Sequence, residues 1–332
     1  MIEKAIDHLL EQEEENRHDF GDGRGPVPAR RHQNPDGSLG GWVAYTAFVG
    51  SLAHVDPSAK VFGRATVFDK ARILGNAEVS GKAIVQGEAV VDEDARIFGN
   101  ARVSDDAVVT GDVEVYGWAI IRDEVYITGK NIEIRGCAEV SGNAVIRGTN
   151  IWIRDSAKVG GRVQIGDNVR ILDSVEVTGR ARVWGGAQIT GYANVFGCAE
   201  VCRGGRVSGF AKVTGNVTIR NGASVCGDAE VATYGERVVI SGNVTIRSEQ
   251  DWQEFLAKKK AHAFYTFPWI EAAQGAFFSK ADELGYEPTP LNFEDFLAWL
   301  MLVEGEMKRI ISTSPDELED FILKELQDWA GE

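Results

Sequence analysis

Ala71-Arg72-Ile73-Leu74-Gly75-Asn76-Ala77-Glu78-Val79-Ser80-Gly81-Lys82-Ala83-Ile84-Val85 decides the fold of this chain. A small residue and a β-branched residue stand two apart, a Gly-x pair follows, and the pattern returns after six positions. Outward from this stretch, Val or Ile occupies every sixth position from Val55 to Ile127, thirteen in succession. A small residue precedes the last twelve by two: ten alanines, plus Val113 and Val125. The series continues one residue out of step at Ile134, Val140 and Ile146. It then runs from Ile153 to Val231 in fourteen positions and closes at Ile240 and Ile246, giving 32 repeats. Internal periodicity of this kind specifies a stacked repeat architecture.

Residues two apart on a strand share a side, so Ala and Val face inward and the residue between them faces out. The Gly-x pair, often Gly-Asn, bends the chain through the positive φ that Gly and Asn tolerate. Each hexad is one short strand and one corner, and three hexads close a triangular coil. The series predicts ten to eleven coils, a prism roughly 50 Å long at ~4.8 Å per rung.

The full chain has 332 residues, room for two or three domains. A hydrophobic content of 44% is too high for intrinsic disorder. No apolar run is long enough for a membrane-spanning helix, and the acidic beginning does not read as a signal peptide. The expectation is a soluble, cytoplasmic protein. Residues 1–20 read as an amphipathic helix, with Ile2, Ile6, Leu9 and Leu10 opposite Glu13, Glu14 and Glu15. Residues 21–54 read as a Gly/Pro-rich linker ending in a leading Gly-Gly-Trp-Val motif, and 55–248 as the β-solenoid. Residues 249–332 read as an acidic, aromatic-rich bundle of three or four helices, with four of eight tryptophans and eight of fifteen phenylalanines. Within it, Asn292 and Ser314-Pro315-Asp316-Glu317 look like helix starts. Leu318, Phe321, Ile322, Leu326 and Trp329 recur at helical spacing.

Charge is unevenly spread. Residues 55–248 carry 23 acids and 23 bases, whereas 249–332 carry 18 acids and 7 bases. No basic stripe is available for phosphates, so neither nucleic acid nor a membrane is an expected partner. Stacking the coils predicts three faces. One carries a charge ladder, Lys60, Glu78, Arg96, Glu114 and Glu133. The next carries an apolar stripe, Val90, Val108, Tyr126 and Val145, read as covered either by the terminal helices or by another subunit. Two one-residue slips, at Asn131 and Asn150, fall at one corner with Asn168 following. The simplest reading is a structural asparagine ladder. A second reading makes Asn131, Asn150, Asn168, Arg135, Trp152 and Arg154 a binding ledge. The insertion Ala232–Arg237 is expected to loop out.

The hexads resemble the hexapeptide-repeat, left-handed parallel β-helix, and Ile165-Gly166-Asp167-Asn168-Val169-Arg170-Ile171 is similar to the signature of hexapeptide acyltransferases. The alternative is a right-handed, bactofilin-like solenoid. Asn34-Pro35-Asp36-Gly37-Ser38-Leu39-Gly40-Gly41-Trp42-Val43, followed directly by the hexads, resembles the YdcK-type β-solenoid family over about 34–248. That family occurs in bacteria and phages and is often labelled putative transferase, with no established reaction. The resemblance implies a fold, a phage or mobile-element setting, and a homo-oligomer, with trimers as in hexapeptide proteins.

Histidine limits the chemistry. The five are His8, His18, His32, His54 and His262, so residues 55–248 have none. Hexapeptide acyltransferases use a histidine base, and gamma-type carbonic anhydrases use three around a metal. The second activity is excluded; for the first, with acetyl-CoA as cofactor, only His54 is placed to act. Cys137, Cys198, Cys202 and Cys226 are assigned outward or corner positions and read as reduced structural thiols. The expectation is a non-enzymatic scaffold that presents its acidic helical module to a protein partner, without cofactor or metal. The alternative is an acetyl-CoA-dependent acyltransferase.

Overall fold

The structure is a computed structural model and describes residues 16–233, 237–265, 321 and 324–328. The chain divides into two units, 1–252 and 253–332. In the first, short parallel strands stack one rung apart in two sheets, one of 11 strands and one of 22. Pairings such as Ile84↔Arg102, Arg96↔Glu114 and Gln164↔Arg182 fall 18 residues apart, so three hexads make one turn. The solenoid has about 11 turns, one for each strand of the smaller sheet.

The in–out assignment holds along the solenoid, with Thr218 an exception in an outward slot, buried under Arg237 and Glu200. Val103, Ile121, Ile171 and Val213 are fully buried, as are Ala77, Ala101 and Ala211. The residue between each Ala and Val lies outward, as Lys60, Glu78 and Arg102 do. In most hexads a methyl group stands beside the β-branched side chain, because three strands share one narrow interior, although Val or Ile fills that place at positions such as Val113, Val125, Ile132 and Ile151. Corners are made by left-handed residues. Where glycine is absent, aspartate often takes its place: Asp173 has φ 68°, and its carboxylate accepts the Gly191 N–H at 2.8 Å. That bond offsets the strain of a side chain in this region.

The larger sheet joins two faces of the prism. They merge where three strands, Val108–Val115, Tyr126–Ile134 and Val145–Ile153, run without a break through a corner. The register shift between the first two lies there, as the slips at Asn131 and Asn150 require.

The linker expected over 21–54 is not one. Strands β1 (Arg17–His18), β2 (Val27–Gln33) and β3 (Leu39–Ala44) pair antiparallel, and β3 then pairs in parallel with Lys60–Val61. Phe48–Val49 and His54–Val55 are already rungs of the solenoid. The glycines and prolines misled because most of them sit in two bends, at 21–26 and 35–37, while Pro28, Gly40 and Gly41 are accommodated within the strands. Between those bends, Phe20, Ala29 and Ala44 form a small core against Trp42 and Phe62. His18 stacks on Trp42 at 4.6 Å, and Phe20 on Phe62 at 4.8 Å. An antiparallel hairpin closes the first edge of the stack, which would otherwise offer unpaired backbone to other chains. Gly40 and Gly41 are required there: a Cβ on Gly40 would lie 2.5 Å from the Val55 carbonyl, and one on Gly41 would lie 2.6 Å from that of Asp56.

In the C-terminal region a helix, α1 (Glu249–Tyr265), begins with Glu249 and Asp251 in its first turn, where acids favour the helix dipole. The Asp251 carboxylate accepts the Arg247 N–H at 2.7 Å. Residues 321 and 324–328 are helical, with Leu326 buried. Of the amphipathic helix expected at 1–20, residues 16–20 are described and are not helical, because Arg17–His18 pair with β2 and Phe20 enters the cap core; the remainder, and the helix starts at Asn292 and Ser314, lie outside the described residues. So do Leu318, Ile322, Trp329 and the tip of the Ala232–Arg237 insertion. No described helix is long and apolar enough to cross a membrane.

Candidate functional site

The two columns read from the sequence fall on the two merged faces. Lys60, Glu78, Arg96, Glu114 and Glu133 are successive rung neighbours. Lys60 pairs with Glu78 at 2.9 Å, and Arg96 pairs with Glu114. Val90, Val108, Tyr126 and Val145 are likewise consecutive and half-buried. The Arg147 guanidinium lies 4.9 Å from the Tyr126 ring centre.

The ledge residues come together as an interlocked network. Asn131 donates to Asn150 at 2.7 Å, and Asn150 donates to Asn168 at 3.1 Å. All three have φ between 52° and 58°, the left-handed region in which asparagine is tolerated. At the other end of the same rungs, Trp152 lies against two guanidinium groups, Arg154 at 4.4 Å and Arg170 at 4.5 Å. Glu133, the rung neighbour of Trp152, pairs with Arg135 at 2.8 Å and with Arg154, and accepts the Tyr116 hydroxyl. Burial, and then this carboxylate, push the Tyr116 phenol above its ordinary pKa. The amides and the carboxylate of this ledge engage one another, while the buried Nε atoms of Arg135 and Arg154 make no hydrogen bond.

His54 stands outward on the first rungs, its Nε2 3.0 Å from Asp56 Oδ1. The other oxygen of Asp56 accepts the Gly75 N–H at 3.0 Å. The four cysteines are free. Cys202 departs from its outward assignment: it is 2% exposed. Two successive left-handed residues, Arg203 and Gly204, turn that corner, and the Cys202 thiol lies inside it. Burial, and next the Glu200 carboxylate, raise its pKa, which leaves a weak nucleophile.

A hollow of about 450 Å³ lies beyond the apolar stripe, lined by Val145, Arg147, Gln164, Ile165, Gly166, Arg182, Trp184 and Glu200. Gln164, Arg182 and Glu200 continue the stripe's column, rung by rung. Arg147, Gly166 and Trp184 form the column beside it, and Gly166 leaves the gap between the two large side chains. The Trp184 indole is anchored by Glu200, which also pairs with Arg237. Sequence reasoning missed this hollow. The available signal was a glycine in an outward column between arginine and tryptophan, at positions 147, 166 and 184.

Against known proteins, residues 95–117 match the family model described as YdcK Beta solenoid repeat. No curated protein matches the chain.

Proposed function

We propose that this chain is a non-enzymatic scaffold: a left-handed β-solenoid, self-associating along its apolar stripe, whose acidic C-terminal region is bound by a protein partner. The observation that carries this reading is the chemistry of the wall. Residues 55–248 include no histidine, and rung-to-rung pairs such as Lys60–Glu78, Arg122–Glu139 and Arg154–Glu133 tie part of their charge into the wall. The excess of acid over base in residues 249–332 supports a basic partner surface there. A phage or mobile-element setting is implied by the family resemblance.

Acyl transfer from acetyl-CoA is the second reading, favoured by one observation: His54 is held by a carboxylate, as a general base would be. Two experiments separate the readings. Affinity purification from the native host, with the full chain and with a chain ending at residue 265, should capture a protein that the shorter chain loses. Calorimetry with acetyl-CoA should give no heat. Micromolar binding abolished by His54→Ala would overturn the scaffold.

A further inference from the structure

The hollow between Arg147 and Trp184 sets an unpaired guanidinium group, that of Arg182, beside a concave and partly apolar surface. Among the described residues, no side-chain hydrogen bond or ion pair engages Arg182, and Arg147 only overlies the Tyr126 ring. The single acid in the lining, Glu200, is already neutralised by Arg237 at 2.9 Å and accepts the Trp184 indole at 2.9 Å. The hollow therefore presents one free guanidinium group (Arg182), one neutral amide (Gln164), and an apolar surface from Trp184, Val145 and Ile165, with the Arg147 guanidinium drawn over Tyr126 at its edge. Its volume lies within the range of small-ligand sites, roughly 300–1,000 Å³.

We propose that this hollow binds an acidic sugar, a pyranose ring bearing a carboxylate. The carboxylate would meet the guanidinium fork of Arg182, whose geometry suits bidentate pairing. The ring hydroxyls, which both donate and accept, match the Gln164 amide. The C–H face of the ring covers Trp184 and Val145. A bare inorganic anion would leave the apolar wall unused, and a neutral sugar would leave the Arg182 guanidinium unpaired. Gly166 keeps the space open, because a Cβ there would already lie 3.0 Å from that of Trp184. The inference does not rest on the scaffold reading.

Calorimetry on the full chain tests it, with trigalacturonate as probe and its methyl ester, inorganic phosphate and AMP as comparators. The acid should bind. The ester should bind at least about tenfold more weakly, the effect of losing a charge-assisted hydrogen bond. Arg182→Gln should weaken the acid by a similar factor, and Gly166→Leu should abolish binding with both arginines in place, each variant keeping its wild-type circular dichroism. No heat with trigalacturonate, equal affinity for the ester, undiminished binding in Arg182→Gln, or tighter binding of phosphate or AMP would each overturn the proposal.

Discussion

The Trp184 indole N–H donates to one oxygen of Glu200 at 2.9 Å, while the other oxygen pairs with Arg237 at 2.9 Å and accepts from Thr218 at 3.4 Å. One carboxylate thus ties four successive rungs. Glu200→Gln, which keeps an acceptor for the indole, should cost less than about 1 kcal/mol, the usual scale of a half-exposed ion pair. Glu200→Leu, which removes every acceptor, should cost about 1–3 kcal/mol. Denaturant midpoints followed by tryptophan fluorescence would separate the two; equal losses would mean that the indole bond contributes nothing.

Asn34 acts as a strand neighbour made from a side chain. It is 4% exposed, its Oδ1 accepts the Val55 N–H at 2.9 Å, and its Nδ2 donates to the Val55 carbonyl at 3.2 Å. Asn34→Ala should destabilise the hairpin cap by about 1–3 kcal/mol for each buried group left unpaired. Hydrogen exchange at the Val55 amide should accelerate accordingly. An unchanged rate would show that water replaces the side chain.

The interior tolerates no charge. Val103→Asp should unfold the middle of the solenoid, since an unpaired buried carboxylate costs several kcal/mol. Arg102→Asp, one residue away and exposed, should stay within about 0.5 kcal/mol of wild type. Thermal melts compare them directly, and similar losses from both would refute the in–out assignment.

Acid should loosen the cap first. Burial lowers the pKa of His32, which bonds the Ala53 carbonyl, and that of His18, which stacks on Trp42. The unfolded chain therefore binds protons more readily, and stability rises with pH. This contribution is complete above the ordinary histidine value of 6.5 and is lost as pH falls through the lowered folded-state values. Exchange protection of β2 and β3 should drop between about pH 7 and 5 while the middle rungs keep theirs. His32→Gln should blunt the loss. Equal protection of the cap at both pH values would remove these histidines from the account.

The apolar stripe gives the proposed self-association its test. Val108→Lys with Tyr126→Lys should halve or further reduce the particle mass in light scattering, with the solenoid still folded by circular dichroism. An unchanged mass would leave the stripe as ordinary surface.

The repeat was legible because it depends on local rules. Alternation along two-residue strands and positive φ at the corners specify an 18-residue turn wherever they recur, so Val55 to Ile246 could be assigned without coordinates. The charge ladder, the apolar column and the Asn131–Asn150–Asn168 corner follow from the same arithmetic. Two places resisted it. Residues 27–44 lack the hexad, and only pairing with the first rungs turns a Gly/Pro-punctuated segment into a cap over Phe20, Ala29 and Ala44. The hollow at Gly166 depends on where long side chains reach: Arg147 lies back over Tyr126, Glu200 turns to Trp184 and Arg237, and Arg182 is left without a partner. Sequence by itself determines which residues point out and which rung each occupies, because backbone period is a local property. Tertiary structure alone decides which outward groups are spent on one another and which stay free, because that choice depends on rotamers and on neighbours one or two turns away.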